Sequence, residues 1–386
     1  MAGPAAGGSD EIQRGPGSGG FPGLLRDEAV RDGRGLLRYH RGMEFDPNAA
    51  AAPGSGVFGL PFGRSEARLV LAPVPFDATA SYGGGSSGAP EAIRSASAQV
   101  DLLDHQFGRV YERGIFMEEM DDGLVESSAL ARRLAAPIIS RGGADEGDAE
   151  AIRRIDASCV RMNEFVRGRV AAILAQGRIP GVVGGDHSTP FGAIEACAES
   201  VAKESGGGGM GVLQIDAHMD LRRAYEGFAW SHASIMWNVL ERIAGVSRLV
   251  QVGIRDYCEE EREYGRGAGA RVAAHFDYDW RVRMSEGARL RELCREAIDP
   301  LPGSVYVSFD IDGLDPSLCP HTGTPVPGGL GFNEAAALLG ALAESGRRIV
   351  GFDLNEVCPG REGDEWDANV GARVLYKLCG AALRSG

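Results

Sequence analysis

The sequence has no Cys-x-x-Cys pair, no long apolar run, no excess of basic charge and no internal repeat. Its seven cysteines, Cys159, Cys197, Cys258, Cys294, Cys319, Cys358 and Cys379, are odd in number and scattered. Neither a disulfide framework nor a thiolate zinc site is expected from them, and a reduced, cytoplasmic setting fits. A membrane span needs roughly 18 or more consecutive apolar residues, and none is present. Lys and Arg total 40 against 54 Asp and Glu, a formal charge of −14. That balance argues against nucleic acid or an anionic membrane as partner. The amino-terminal stretch has acidic residues, Asp10 and Glu11, and no apolar core, which argues against a secretory signal and weakens an organelle-transit reading.

What remains is enough for a sizeable core: 386 residues, 44% of them hydrophobic. Residues 1–55 differ from the rest, being rich in Gly, Ala and Pro without sustained periodicity. They are expected to be a flexible arm or one that wraps a neighbouring subunit, with Phe45, Phe58 and Leu60 as anchors. The catalytic domain is then residues 56–386. Segments 141–148 and 206–209 read as surface insertions.

From about residue 68 the chain alternates apolar strands with amphipathic helices. Strands are predicted at 69–74, 179–183, 211–215, 249–254, 305–309 and 349–354. Helices are predicted at 155–176, 190–203, 232–243, 286–297, 332–345 and 366–383. Near-continuous apolar strands separated by helices indicate an α/β fold with a mostly parallel sheet covered on both faces. Such sheets bind ligands beyond the carboxyl ends of their strands.

Three motifs follow predicted strands: Gly184-Gly185-Asp186-His187-Ser188, Asp216-Ala217-His218-Met219-Asp220 and Ser308-Phe309-Asp310-Ile311-Asp312-Gly313. Strand side chains alternate with period two, so Asp216, His218 and Asp220 can face one side, as can Asp310 and Asp312. Four carboxylates and two imidazoles converging there would repel one another unless cations neutralised them. Two divalent ions balance the charge, so a two-metal hydrolase is expected.

The three motifs together resemble the arginase/agmatinase (ureohydrolase) family from about Leu69 to the end of the chain. The resemblance implies a three-layer α/β/α fold and hydrolysis of a guanidino group to urea by hydroxide held between two metal ions. It implies that His187 and Asp220 bind one ion, that His218 and Asp312 bind the other, and that Asp216 and Asp310 bridge both. It also implies that His232, in Ser231-His232-Ala233-Ser234, shuttles a proton, and that Glu356, ending Gly351-Phe352-Asp353-Leu354-Asn355-Glu356, clamps the guanidinium. The chemistry is consistent. A guanidinium of pKa roughly 12 or above is a poor electrophile, so attack calls for hydroxide at neutral pH. Two ions about 3.5–4 Å apart supply it.

The loop Asp77-Ala78-Thr79-Ala80-Ser81-Tyr82-Gly83-Gly84-Gly85 departs from the agmatinase pattern, with Gly83, Gly84 and Ser87 where that pattern has Arg, Pro or Gly. It looks closer to the nickel-dependent guanidine hydrolase branch. On that resemblance Thr79 holds free guanidine, and an indole such as Trp366 is a candidate to close over the cation by cation–π contact. Ni²⁺ is then favoured over Mn²⁺, and free guanidine over agmatine or guanidinobutyrate. A biguanide-hydrolase subunit and a non-catalytic partner subunit are the further alternatives. The family implies a homo-oligomer, a hexamer or trimer, acting on a small guanidino substrate.

Overall fold

In the computed structural model, residues 30–31, 37–38, 44–52, 54–206, 209–361 and 363–386 are described. The chain divides into two compact units, Met1–Asp46 and Pro47–Gly386. In the first, three short strands pair antiparallel in chain order: β1 (Val30–Arg31), β2 (Leu37–Arg38) and β3 (Glu44–Phe45). Most of the predicted arm lies outside the described residues, as do residues 207 and 208 of the second predicted insertion. Phe58 and Leu60 belong to the second unit and are buried in it, Phe58 packing edge-on against Tyr376 at 4.8 Å.

The second unit is built on eight parallel strands: β4 (Leu69–Val74), β5 (Ile115–Met117), β6 (Ile179–Gly184), β7 (Met210–Ile215), β8 (Val246–Ile254), β9 (Val272–Phe276), β10 (Ser304–Asp310) and β11 (Arg348–Asn355). Ten helices accompany them: α1 (Ala89–Ala96), α2 (Asp122–Ser140), α3 (Ala149–Leu174), α4 (Phe191–Ser205), α5 (Ile235–Arg242), α6 (Glu259–Gly267), α7 (Asp277–Ser285), α8 (Leu290–Ile298), α9 (Phe332–Ala343) and α10 (Trp366–Arg384). α2, α3, α4 and α5 pack in succession, and α1, α10, α9 and α8 do the same, giving helical layers on both sides of the sheet. Sheet strands covered on both faces need no polar side, which is why β4 is apolar and buried throughout and β7, buried along its whole length, is polar only at Gln214. α3 shows the complementary pattern: Ile155, Cys159, Met162, Val166, Val170 and Ile173 recur every three or four residues and are buried.

The sheet order is β5-β4-β6-β11-β10-β7-β8-β9. The chain goes out to one edge through β7, β8 and β9. It then returns to lay β10 and β11 between β7 and β6. This return makes the four central strands, β6, β11, β10 and β7, neighbours although they are far apart in sequence. All six predicted strands are present. The short edge strands β5 and β9 and helices α1, α2, α6 and α7 were not predicted. β9 is half-buried throughout and carries His275, so it lacks the continuous apolar run that marks a central strand. Residues 232–234 form a single 3-10 turn before α5, not the first turn of an α-helix. Among the described residues no helix is long and apolar enough to cross a membrane.

Candidate active site

The carboxyl ends of the four central strands carry the three motifs and Glu356. His187 follows β6, Asp216, His218 and Asp220 follow β7, Asp310 ends β10 with Asp312 in the turn beyond it, and Glu356 follows β11. Two glycines let these loops approach. A Cβ on Gly185 would lie 2.1 Å from the Phe76 carbonyl oxygen, and one on Gly313 would lie 2.7 Å from the Asp216 amide nitrogen. Two non-glycine residues here adopt left-handed backbone, Asp220 at φ 53° and Glu356 at φ 61°. Such strain costs on the order of 1–3 kcal/mol and clusters where function fixes a side chain.

Two groups of side chains place one donor atom each within 4.8 Å of one another: His187 with Asp216 and Asp310, and Asp216 with His218 and Asp312. Asp216 belongs to both. Asp310, expected to be shared as well, falls in the first group only. Asp220 joins the first group, since its Oδ2 lies 3.0 Å from His187 Nδ1. The same nitrogen is 3.0 Å from Asp216 Oδ2 and 3.2 Å from Asp310 Oδ2. In the second group, His218 Nδ1 is 3.0 Å from Asp312 Oδ2 and 3.5 Å from Asp216 Oδ1.

These residues fit divalent cations, and His187 is the test. Its Nε2 lies 2.9 Å from Ser308 Oγ, which in turn donates to Asp353 Oδ1 at 3.0 Å. The Ser308 oxygen therefore accepts the Nε2 proton, and His187 turns Nδ1 toward three carboxylates. Burial works to lower its pKa, but Asp216, Asp220 and Asp310 outweigh it and hold the ring well above its ordinary value. That buried Nδ1 makes no hydrogen bond. A buried ring nitrogen facing three carboxylates is the donor set of a cation site. Titration points the same way. Burial first, then the Asp216 charge, pushes Asp220 up to about 7, and burial with Asp312 and Asp216 pushes Asp310 well above the carboxylate range. Asp216 is held low against its own burial by His187 and His218.

A 360 Å³ cavity opens onto this cluster. It is lined by His218, Asp220, Asp310 and His232 on the inner side and by Arg222, Tyr225, Asp256, Tyr257 and Glu261 among others. His232 Nε2 accepts the Ser81 amide at 3.3 Å and lies 3.0 Å from Ser81 Oγ, while its Nδ1 is 3.4 Å from Glu356 Oε1. Burial works to lower the His232 pKa, but the Glu356 contact outweighs it and holds the ring above its ordinary value. Glu356 is buried, does not line the cavity, and also accepts the His187 amide on Oε1 at 2.9 Å. The structure thus couples His232 and Glu356, which the sequence had suggested as separate shuttle and clamp.

Thr79 and Trp366 are not part of the cavity lining. Thr79 is fully buried, its hydroxyl 3.5 Å from both Asp186 Oδ2 and the Trp230 carbonyl. Trp366 is half-exposed at the start of α10 and donates its indole N–H to the Ser317 carbonyl at 3.0 Å. Thr79 thus faces the core, and Trp366 is held to the Ser317 carbonyl. His321, left as structural, pairs with the buried Asp367 at 2.9 Å. Sequence reasoning missed Asp186, Ser308, Asp353 and Ser81. The signal for Ser308 was present, since period two puts it on the same face as Asp310.

A model of the arginase family matches residues 67–380. The chain belongs to the arginase family. It is 31% identical to the N(1)-aminopropylagmatine ureohydrolase of Thermus thermophilus over 82% of this chain and 90% of that protein. It is 30% identical to the proclavaminate amidinohydrolase of Streptomyces clavuligerus over 81% and 88%. Among solved structures, the Streptomyces clavuligerus amidinohydrolase superposes with a TM-score of 0.64 at 23% identity, covering 88% of this chain and all of that one. The agmatine ureohydrolase of Thermoplasma volcanium gives 0.62 at 24%, covering 84% and 92%. The structural likenesses show the arginase-like fold.

Proposed function

We propose that this arginase-family chain is a metal-dependent hydrolase that cleaves a guanidino C–N bond and releases urea from a substrate carrying a tail. The observation that carries the reading is the pair of ligand groups joined through Asp216 on the floor of a cavity that also presents His232. His187, Asp216, Asp220 and Asp310 would hold one ion, and Asp216, His218 and Asp312 the other. Bound divalent ions supply Lewis acidity and lower the pKa of water to near neutrality. Nitrogen and oxygen donors suit Ni²⁺ and Mn²⁺ alike, with Ni²⁺ the first to test.

The remaining roles belong to the protein. Glu356 Oε2 has no hydrogen-bond partner among the described residues and is left to accept a guanidinium N–H. Oε1 is engaged by the His187 amide and faces His232, so a grip by both oxygens is not open to it. As water oxygen adds to the guanidino carbon and the C–N bond breaks, the departing nitrogen needs a proton. His232, whose pKa Glu356 holds above the ordinary value against burial, is the ring placed to donate it.

A tail is favoured because the cavity is several times larger than a bare guanidinium. The relatives named above are an N(1)-aminopropylagmatine ureohydrolase and a proclavaminate amidinohydrolase, names in keeping with substituted guanidines. A homo-oligomer is expected, and light scattering on the purified protein would give its size. The test of function is urea release from guanidine, agmatine, 4-guanidinobutyrate and arginine, each with Ni²⁺ and Mn²⁺ separately. Urea from free guanidine alone would overturn the tail. No urea from any substrate by protein holding two ions would overturn the reading.

A further inference from the structure

Beyond the metal cluster, the cavity wall carries a cation that no metal or proton step uses. Arg222 follows Asp220 by two residues and lines the same 360 Å³ space. Its amide donates to the Ala233 carbonyl at 3.2 Å, fixing its backbone against the segment that carries His232. Its guanidinium carbon lies 4.8 Å over the Tyr225 ring, and its Nε is 3.5 Å from Glu261 Oε2. Glu261 is itself buried and accepts the Leu221 amide at 3.0 Å and the Cys258 amide at 2.9 Å. The arginine is therefore held from behind by an aromatic face and an anchored carboxylate. Its terminal NH1 and NH2 groups make no hydrogen bond among the described residues. A planar fork of donors fixed this way matches a carboxylate.

We infer that Arg222 reads a carboxylate at the tail of the substrate, so that the preferred substrates are guanidino acids. The inference rests on the hydrolytic reading above and names its substrate class. Placement permits it: Arg222 and Asp220 line the same cavity, so a substrate held at the metal-type cluster can extend its tail toward the guanidinium. Asp256 lines the same mouth and is the competing reader, since it would attract an ammonium. It is exposed to solvent, and a solvated carboxylate discriminates weakly. Arg222, with one third of its side chain exposed and its other side packed, loses less of its field to water.

The experiment compares 4-guanidinobutyrate with agmatine, compounds of similar length with opposite tail charge, on the metal-loaded full chain. The unaltered protein is expected to prefer 4-guanidinobutyrate in kcat/KM. Arg222→Met should reduce that preference by about tenfold or more, chiefly through KM, as expected for a lost hydrogen bond to a charged group. Arg222→Lys should restore part of it, which a merely structural arginine would not allow. Preference for agmatine, or a ratio unmoved in Arg222→Met, overturns the inference. Loss of agmatine turnover in Asp256→Asn would assign the tail to an amine instead. Calorimetric binding of both compounds separates the two failures. Arg222-dependent binding without urea release sinks hydrolysis and keeps tail recognition, while urea release indifferent to Arg222 does the reverse.

Discussion

Ser308→Ala removes one oxygen, and the structure says what that oxygen does. Ser308 is fully buried, stands 2.9 Å from His187 Nε2 and donates to Asp353 Oδ1 at 3.0 Å. Without it the Nε2–H of a completely buried imidazole has no acceptor. An unsatisfied buried donor costs about 1–3 kcal/mol. Alternatively the ring turns, and Nδ1 no longer faces Asp216, Asp220 and Asp310. Loss of a hydrogen bond that orients a metal-ligating histidine weakens metal binding by about 10–100-fold, and that factor corresponds to about 1.4–2.8 kcal/mol. The two magnitudes agree, so the cost is expected either in folding stability of the metal-free protein or in ion affinity. It should fall on the ion held through His187, because the group of Asp216, His218 and Asp312 does not include that ring. The assay is stepwise metal titration against a chromophoric chelator, alongside chemical denaturation of the metal-free protein. Two binding steps unchanged from the unaltered protein, with unchanged stability, would refute the reasoning.

His218→Ala should lose the ion of the second group and activity together while retaining metal in the first, as read by metal analysis of folded protein; full turnover with one ion per chain would contradict the two-metal reading. Because contact with Glu356 raises the His232 pKa, the ring keeps its proton above its ordinary value of about 6.5. The stabilisation from that contact is complete below the unfolded value and is lost as pH rises through the folded one. The alkaline limb of kcat/KM should accordingly lie above about 6.5 in a pH–rate profile, and a limb below it would remove His232 as proton donor. Asp104 opposes its own burial by accepting from Lys377 Nζ at 3.0 Å, Phe107 N at 2.9 Å and Gln106 N at 2.8 Å, which lowers its pKa. Its contribution is present above the unfolded value of about 3.9 and is lost as pH falls through the folded one. Asp104→Asn should cost about 1–3 kcal/mol in denaturant unfolding at neutral pH and flatten the acid limb of stability.

The central strands were legible because burial on both faces demands nearly continuous apolar runs, as in β4 and, but for Gln214, in β7. β5 and β9 were not, because three residues at an edge, or a half-buried segment holding His275, carry no such run. The metal-type residues were legible for a related reason. They follow strands, where period two fixes which side chains share a side. The orientation of Thr79 and Trp366 was not legible, because a loop residue and a helix-start residue have no period and only packing decides whether they face a cavity. Arg222 was overlooked for the same reason: nothing local distinguishes it from a solvated arginine.

The sequence by itself determined the parallel α/β architecture and the six acids and imidazoles of the metal-type motifs, because both follow from patterns confined to one strand and its end. The tertiary structure decided which strands lie side by side. By returning β10 and β11 between β6 and β7, it set residues more than a hundred positions apart within about 3 Å, as with His187 Nδ1 and Asp310 Oδ2 at 3.2 Å. It also decided that Glu356 stands behind His232 and that Arg222 faces the cavity. Those outcomes depend on contacts between loops from different strands, and no single segment encodes its neighbour.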